Sequence, residues 1–169
     1  MLITLAYFEG GNLNIPQLSQ LTVREKLQMF IDRFEPEILI DLLGYEMYLD
    51  FLAALTLDPI PVKWLRLRDG AQYTYEDRVC FWPGLASVVS TANPENSLIA
   101  NYVYYQLIKT DAKFLTGTGA VTSKTENSKR VSPIDLQVSA WNKMVGLNYK
   151  LIEFLNANPE DYPYEYPAK

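Results

Sequence analysis

Leu98-Ile99-Ala100-Asn101-Tyr102-Val103-Tyr104-Tyr105-Gln106-Leu107-Ile108 is the stretch on which the fold class turns. It is apolar or aromatic nearly all the way round a helical wheel. Such a helix belongs at the centre of a bundle or against a neighbouring subunit. Asn93 and Pro94 are expected to open it, and the pattern runs to about Phe114. Downstream, Ser132 and Pro133 start a last helix, with Asp135 placed to favour its positive end. Ile134, Val138, Trp141, Val145, Ile152 and Leu155 are read as its core stripe. A helix from 133 to 157 would be about 37 Å long.

Upstream, Met1 to Phe8 reads as a short strand, and Gly10-Gly11-Asn12 as a turn. Thr22 with Glu25 has the spacing of a capping box, so a helix from Val23 to about Arg33 is expected, with Val23, Leu27, Phe30 and Ile31 on one face. Glu35 and Pro36 open a second helix through Leu39, Leu43, Tyr48, Phe51, Leu52 and Leu55. Gly44 interrupts that pattern. A continuous helix would lose about 1 kcal/mol there against alanine, and a break or kink fits equally. Asp58-Pro59-Ile60-Pro61 stops the helix, and a short helical piece from Pro61 to Arg68 is closed by Gly70. Tyr73-Thr74-Tyr75 and Val79-Cys80-Phe81-Trp82 alternate around Glu76-Asp77, a small hairpin whose aromatic face must pack on the helices. The expected fold is mainly α: a bundle of four to five helices with a β-hairpin at 72–82 and a long flexible loop.

Residues 1–160 are read as one helical domain with two segments that do not fit a compact bundle. The first is the polar, glycine-containing connection at 115–132, far longer than a helix-to-helix link needs and therefore a candidate arm. Its cluster Lys124, Lys129 and Arg130 is either a solvated surface or a contact that orders on a partner. The second is the tail at 161–169, where Tyr162, Tyr164 and Tyr166 alternate with proline and glutamate; it is expected to be extended. These six side chains are the candidate partner-binding residues. Tyr102, Tyr104 and Tyr105 span too wide an arc for one core face, which favours an oligomer interface.

Chemistry is scarce. The 169 residues and 19.4 kDa correspond to one domain or two small ones, large enough to fold without a staple. With no histidine and one cysteine, His-based catalysis, a Cys/His zinc site and an internal disulfide are all excluded. Gly117-Thr118-Gly119 follows a helix and lacks the lysine spacing of a phosphate loop. The carboxylate pairs Glu46/Asp50 and Glu35/Glu37 have nothing to align them across a cleft. No catalytic residue, metal or cofactor is expected. The net charge of −5 is opposite to that of a nucleic-acid-coating protein. The first eight residues are too short for a membrane span and lack the features of a signal peptide, so a soluble, unprocessed protein is expected. Cys80, alone in the chain, suits a reducing compartment.

The order of these patterns does resemble a family. FEPEILIDLLGYEMYLDFLAAL (34–55), YTYEDRVCFWPGL (73–85), NSLIANYVYYQLIKTDAKFLTGTGAV (96–121) and TENSKRVSPIDLQVSAWNKMVGLNYKLIEFL (125–155) together are similar to small proteins of phages and prophages of Bacteroides-type bacteria. Those proteins resemble the head–tail connector, or adaptor, class of tailed bacteriophages. The resemblance covers about residues 22–155 and carries no residue-level motif. It implies a non-enzymatic virion assembly subunit, made in the host cytoplasm, that joins a ring between portal and tail proteins through contacts with copies of itself. It also implies an arm and a terminal segment that dock on neighbours, placed here at 115–132 and 160–169. DNA would pass through the ring without specific binding, aided by an acidic lumen. The alternative reading is a helical adaptor for a host or mobile-element protein in the bacterial cytosol.

Overall fold

A computed structural model describes residues 1–86, 96–118 and 132–163, with the backbone alone for 111–118. The apolar stretch lies in helix α4 (Leu98–Thr118), which packs on α5 (Pro133–Asn156) and on α1 (Leu21–Leu43). Leu98, Ile99, Ala100, Tyr102, Val103, Tyr104 and Leu107 are all buried. The bundle centre is therefore its place, as one of the two expectations had it. Tyr102 and Tyr104 are buried within the chain itself, so the wide arc does not by itself call for a second subunit. Tyr102 donates to Glu37 Oε1 at 2.7 Å, and Tyr105 is half-buried with its ring 5.0 Å from that of Trp141. The chain's own helices cover the wide arc from several sides.

The fold is mainly α with one two-stranded antiparallel sheet. α1 runs unbroken through Pro36, which was expected to start a separate helix. An interior proline costs about 3 kcal/mol or more. Burial of Leu27, Ile31, Glu35, Ile38 and Leu39 on both sides of it outweighs that loss. Nor does the Thr22/Glu25 box form. The helix begins two residues earlier, at Leu21, with Gln20 as its cap and no side-chain capping bond. The break falls at Gly44 (φ 76°, ψ 158°), and α2 (Tyr45–Ala54) follows.

α3 (Val62–Asp69) ends at Gly70, whose φ of 101° carries the chain into β1 (Ala71–Tyr75). β1 pairs with β2 (Arg78–Trp82) around the two-residue turn Glu76-Asp77, both at positive φ (48° and 60°). That is the twist a tight hairpin needs, reached here without glycine. A Cβ on Gly70 would lie 2.6 Å from the Trp82 carbonyl, and one on Gly84 2.5 Å from that of Arg68, so the strand exit and the end of α3 touch backbone to backbone. The inner face of the hairpin packs as expected: Tyr73 and Trp82 both meet Phe154 of α5, with centroids at 5.6 and 6.1 Å.

The N-terminal segment forms short 3-10 turns at Leu5–Phe8 and Gly11–Leu13, not a strand. Its amides go to a side chain and not to a partner strand: Leu2 N donates to Glu35 Oε1 at 2.7 Å and Ile3 N to Oε2 at 3.1 Å. Ile3, Phe8 and Leu13 thereby reach the core. α4 starts at Leu98, and the expected start at Asn93-Pro94 falls outside the described residues. It continues to Thr118, taking the first residues of the expected arm; the rest of that arm up to residue 131 also falls outside them. α5 opens as read: Ser132 Oγ accepts from Ile134 N at 3.2 Å, with Pro133 as the first helical residue.

Candidate functional site

α5 carries apolar residues on two faces. The buried one is Ala140, Met144, Leu147, Leu151, Phe154 and Leu155. The stripe read from sequence as core is, apart from Leu155, the other face. Ile134, Val138 and Trp141 are 65, 52 and 42 % exposed, and Tyr149, in the same row, is 48 % exposed. Val145 and Ile152 complete the row half-buried. At 100° per residue the two stripes lie roughly 130° apart around the helix. Periodicity detects both and cannot choose between them. Packing chooses the face with Ala140, which is buried where α5 meets α4.

The outward row spans Ile134 to Ile152, about 27 Å at 1.5 Å per residue. It broadens onto α4 through the Trp141–Tyr105 pair, where Lys109 Nζ sits 5.4 Å above the Tyr105 ring. A second exposed apolar face lies on α2, where Tyr45 and Leu49 are exposed and Tyr48 and Leu52 half-buried. Tyr45, Tyr48, Leu49 and Leu52 fall at i, i+3, i+4 and i+7, one side of a helix. Sequence reading assigned Tyr48 and Leu52 to the core and gave no special place to Tyr45 or Leu49. The signal was the same apolar spacing, offset by one position.

Of the six candidate partner-binding residues, only Tyr162 lies within the described part of the chain; Lys124, Lys129, Arg130, Tyr164 and Tyr166 lie outside it. Tyr162 does not extend outward. It is 1 % exposed, packs on Trp64 and Phe154 and donates to the Lys63 carbonyl at 2.5 Å. Asp161 alongside accepts from Arg66 at 3.0 Å. The body of the fold therefore continues at least through Tyr162. Large aromatic burial outweighs the extended tendency of the prolines nearby.

A cleft of about 560 Å³ opens between the N-terminal turn at Gly11–Leu13, α4 and α5. Asn12, Asn14, Asn101, Ser139, Asp135 and Lys143 supply its polar lining. Tyr104 lies between it and a neighbouring, more apolar cleft of about 540 Å³, and burial pushes its phenol above the ordinary tyrosine range. Among the described residues, Asp135 is the one carboxylate lining the first cleft and Lys143 the one amine.

The carboxylate pairs noted in the sequence are not brought to a common site. Glu35 is buried on the Leu2 and Ile3 amides, Glu37 accepts from Tyr102, and Glu46 and Asp50 lie on the exposed side of α2. Among the described residues, no three His, Cys, Asp or Glu side chains cluster as a metal site. No helix among them is long and apolar enough to cross a membrane.

Residues 39–168 match the model of a family of unknown function (DUF6712), and the chain belongs to that family. No curated protein and no solved structure matches it.

Proposed function

We propose that this DUF6712 chain is a non-enzymatic virion assembly subunit, a head–tail connector that joins a ring between portal and tail. The observation that carries the reading is the outward apolar row of α5. A row of this length on the surface of a monomer marks an interaction site. The second exposed face, on α2, supplies its counterpart. Rotational rings close through heterologous contacts, in which one face of a subunit meets a different face of the next. Two apolar helix faces on different elements are what such a contact requires. The order of helices and hairpin, similar to that of connector proteins, supports the same reading. The net charge of −5 suits a channel along which DNA slides without being gripped.

Co-expression with the portal and tail proteins of a tailed phage, followed by electron microscopy of the purified complex, tests the proposal. The expected result is a ring seated on the portal. Trp141→Glu and Val138→Glu should each abolish it, as should Leu49→Glu on the α2 face, with far-UV circular dichroism unchanged. A chain that stays apart from an assembled portal overturns the connector reading. Recovery of the same chain on a single cytosolic host protein favours the adaptor instead.

A further inference from the structure

The hairpin presents an open edge of unusual character. Residues flanking a two-residue turn exchange both backbone hydrogen bonds, and the pattern then alternates. With Tyr75 opposite Arg78, the bonded pairs are Tyr75/Arg78, Tyr73/Cys80 and Ala71/Trp82. The N–H and C=O groups of Val79 and Phe81 therefore point away from β1. Among the described residues neither makes a backbone hydrogen bond outside the hairpin. Their side chains are also exposed, Val79 at 77 % and Phe81 at 50 %. Natural edge strands are normally blunted by proline, an inward charge or a covering element. Here the edge from Val79 to Trp82 holds no charge and no proline. The outer edge of β1 differs, because its matching residues are Gln72 and Thr74.

We propose that β2 pairs antiparallel with β2 of a second copy of this chain, centred on Cys80. In that register Val79 of each copy faces Phe81 of the other. Both residues carry outward backbone groups, so each such pair exchanges two hydrogen bonds. Valine against an aromatic ring is a favoured cross-strand pair. Arg78 falls opposite Trp82, and no like charges oppose one another along the strand. A shift by one residue would break the match of outward groups. A shift by two in one direction would set Val79 against Pro83, which has no N–H to give, and in the other would set Phe81 against the turn residue Asp77. The second copy fits better than the β1 edge of a neighbour because both exposed apolar side chains belong to β2. The contact is isologous and closes on itself. It is small, so the pairing is weak and concentration-dependent. It stands apart from the ring reading, and either can fail without the other.

The pairing places the two Cys80 residues directly opposite at a position that does not exchange hydrogen bonds, with Cα atoms about 4.5 Å apart, within the range a disulfide spans. Hydrogen exchange followed by NMR at protein concentrations up to about 1 mM, together with copper-phenanthroline oxidation, tests it. Protection of the Val79 and Phe81 amides should rise with concentration while that of Gln72 and Thr74 does not, and Cys80 should cross-link into a covalent dimer. Val79→Lys and Phe81→Lys, both at exposed positions, should each slow cross-linking by about tenfold or more. Cys80→Ser should keep the reversible protection and lose the covalent product. Concentration-independent exchange at Val79 and Phe81 overturns the proposal. So does protection that moves to Gln72 and Thr74, or cross-linking that proceeds at the wild-type rate in both lysine variants.

Discussion

Glu35→Ala tests whether one carboxylate holds the N-terminal segment on the bundle. The side chain accepts from Leu2 N at 2.7 Å and Ile3 N at 3.1 Å. A hydrogen bond to a charged group contributes about 1.5–3 kcal/mol, and a buried N–H left dry costs about 1–3 kcal/mol. Ile3 is fully buried and has no access to water in the native packing, whereas Leu2 is half-buried and regains some hydration. The sum is about 3 kcal/mol. For a chain of this size that corresponds to a fall in Tm of about 6–12 °C. Glu35→Gln keeps one acceptor oxygen and turns a donor toward the other amide, so it should lose about half as much. Urea unfolding at neutral pH gives the stability change, and amide exchange at Ile3 gives its location. The segment also buries Phe8 and Leu13, so Ile3 should open locally before the bundle does. A Glu35→Ala chain within about 0.5 kcal/mol of wild type, with Ile3 exchange unchanged, would falsify the reasoning.

Two further outcomes follow from buried tyrosines. Burial first, then the nearby Glu153, pushes the Tyr73 phenol up to about 12; burial and the bond to Glu37 do the same for Tyr102. Their folded values lie above the unfolded one, so the stabilisation is complete below pH 10 and lost as pH rises from 10 toward 12. Tyr102→Phe should cost about 1 kcal/mol at neutral pH and then lose less than wild type across that alkaline window, read from urea midpoints at matched pH. Tyr162→Ala should cost about 3–5 kcal/mol by emptying the site between Trp64 and Phe154. Tyr162→Phe, which removes the bond to the Lys63 carbonyl alone, should cost about 1 kcal/mol. Equal losses in those two variants would show that the ring is not the anchor.

Features encoded by local chemistry were legible. Ser132-Pro133 starts α5 and the alternation around Glu76-Asp77 gives the hairpin, while at Gly44 the local pattern allowed a continuous helix and a break equally and the structure has the break. Each rests on a preference that acts within a few residues. What the sequence hid was decided at a distance. Pro36 argues locally for a boundary, but burial on both sides of it keeps α1 whole. Thr22 argues for a cap, yet the helix starts before it. The outward row of α5 was visible as a stripe and assigned to the wrong side, because a helix with two apolar faces carries no local mark of which one meets its neighbour. Tyr162 sits among prolines that argue for an extended tail, and its burial depends on Trp64 and Phe154, far away in the chain. Partner-binding residues were sought among polar and tyrosine-rich segments, while the candidate surface lies on regular helices.

The polar groups inside the fold point the same way. Among the described residues, Glu35, Ser97 and Asn101 are the buried polar or charged side chains. Glu35 takes the amides of Leu2 and Ile3. Ser97 donates to the Leu85 carbonyl and accepts from Ala100 N, tying the start of α4 to the exit of the hairpin. Asn101 donates to the Ser97 carbonyl one turn back. Each of the three satisfies backbone where a regular element meets an irregular one, which is where orphaned groups would otherwise be most costly. Their hydrogen bonds anchor segments in place and converge on no common point. Among the described residues, the apolar side chains that face outward include Ile134, Val138 and Trp141 on α5, Tyr45 and Leu49 on α2, and Val79 and Phe81 on β2. Apolar area contributes free energy only when water is removed from it. In the proposed ring, a neighbouring subunit would remove that water from the outward faces of α5 and α2.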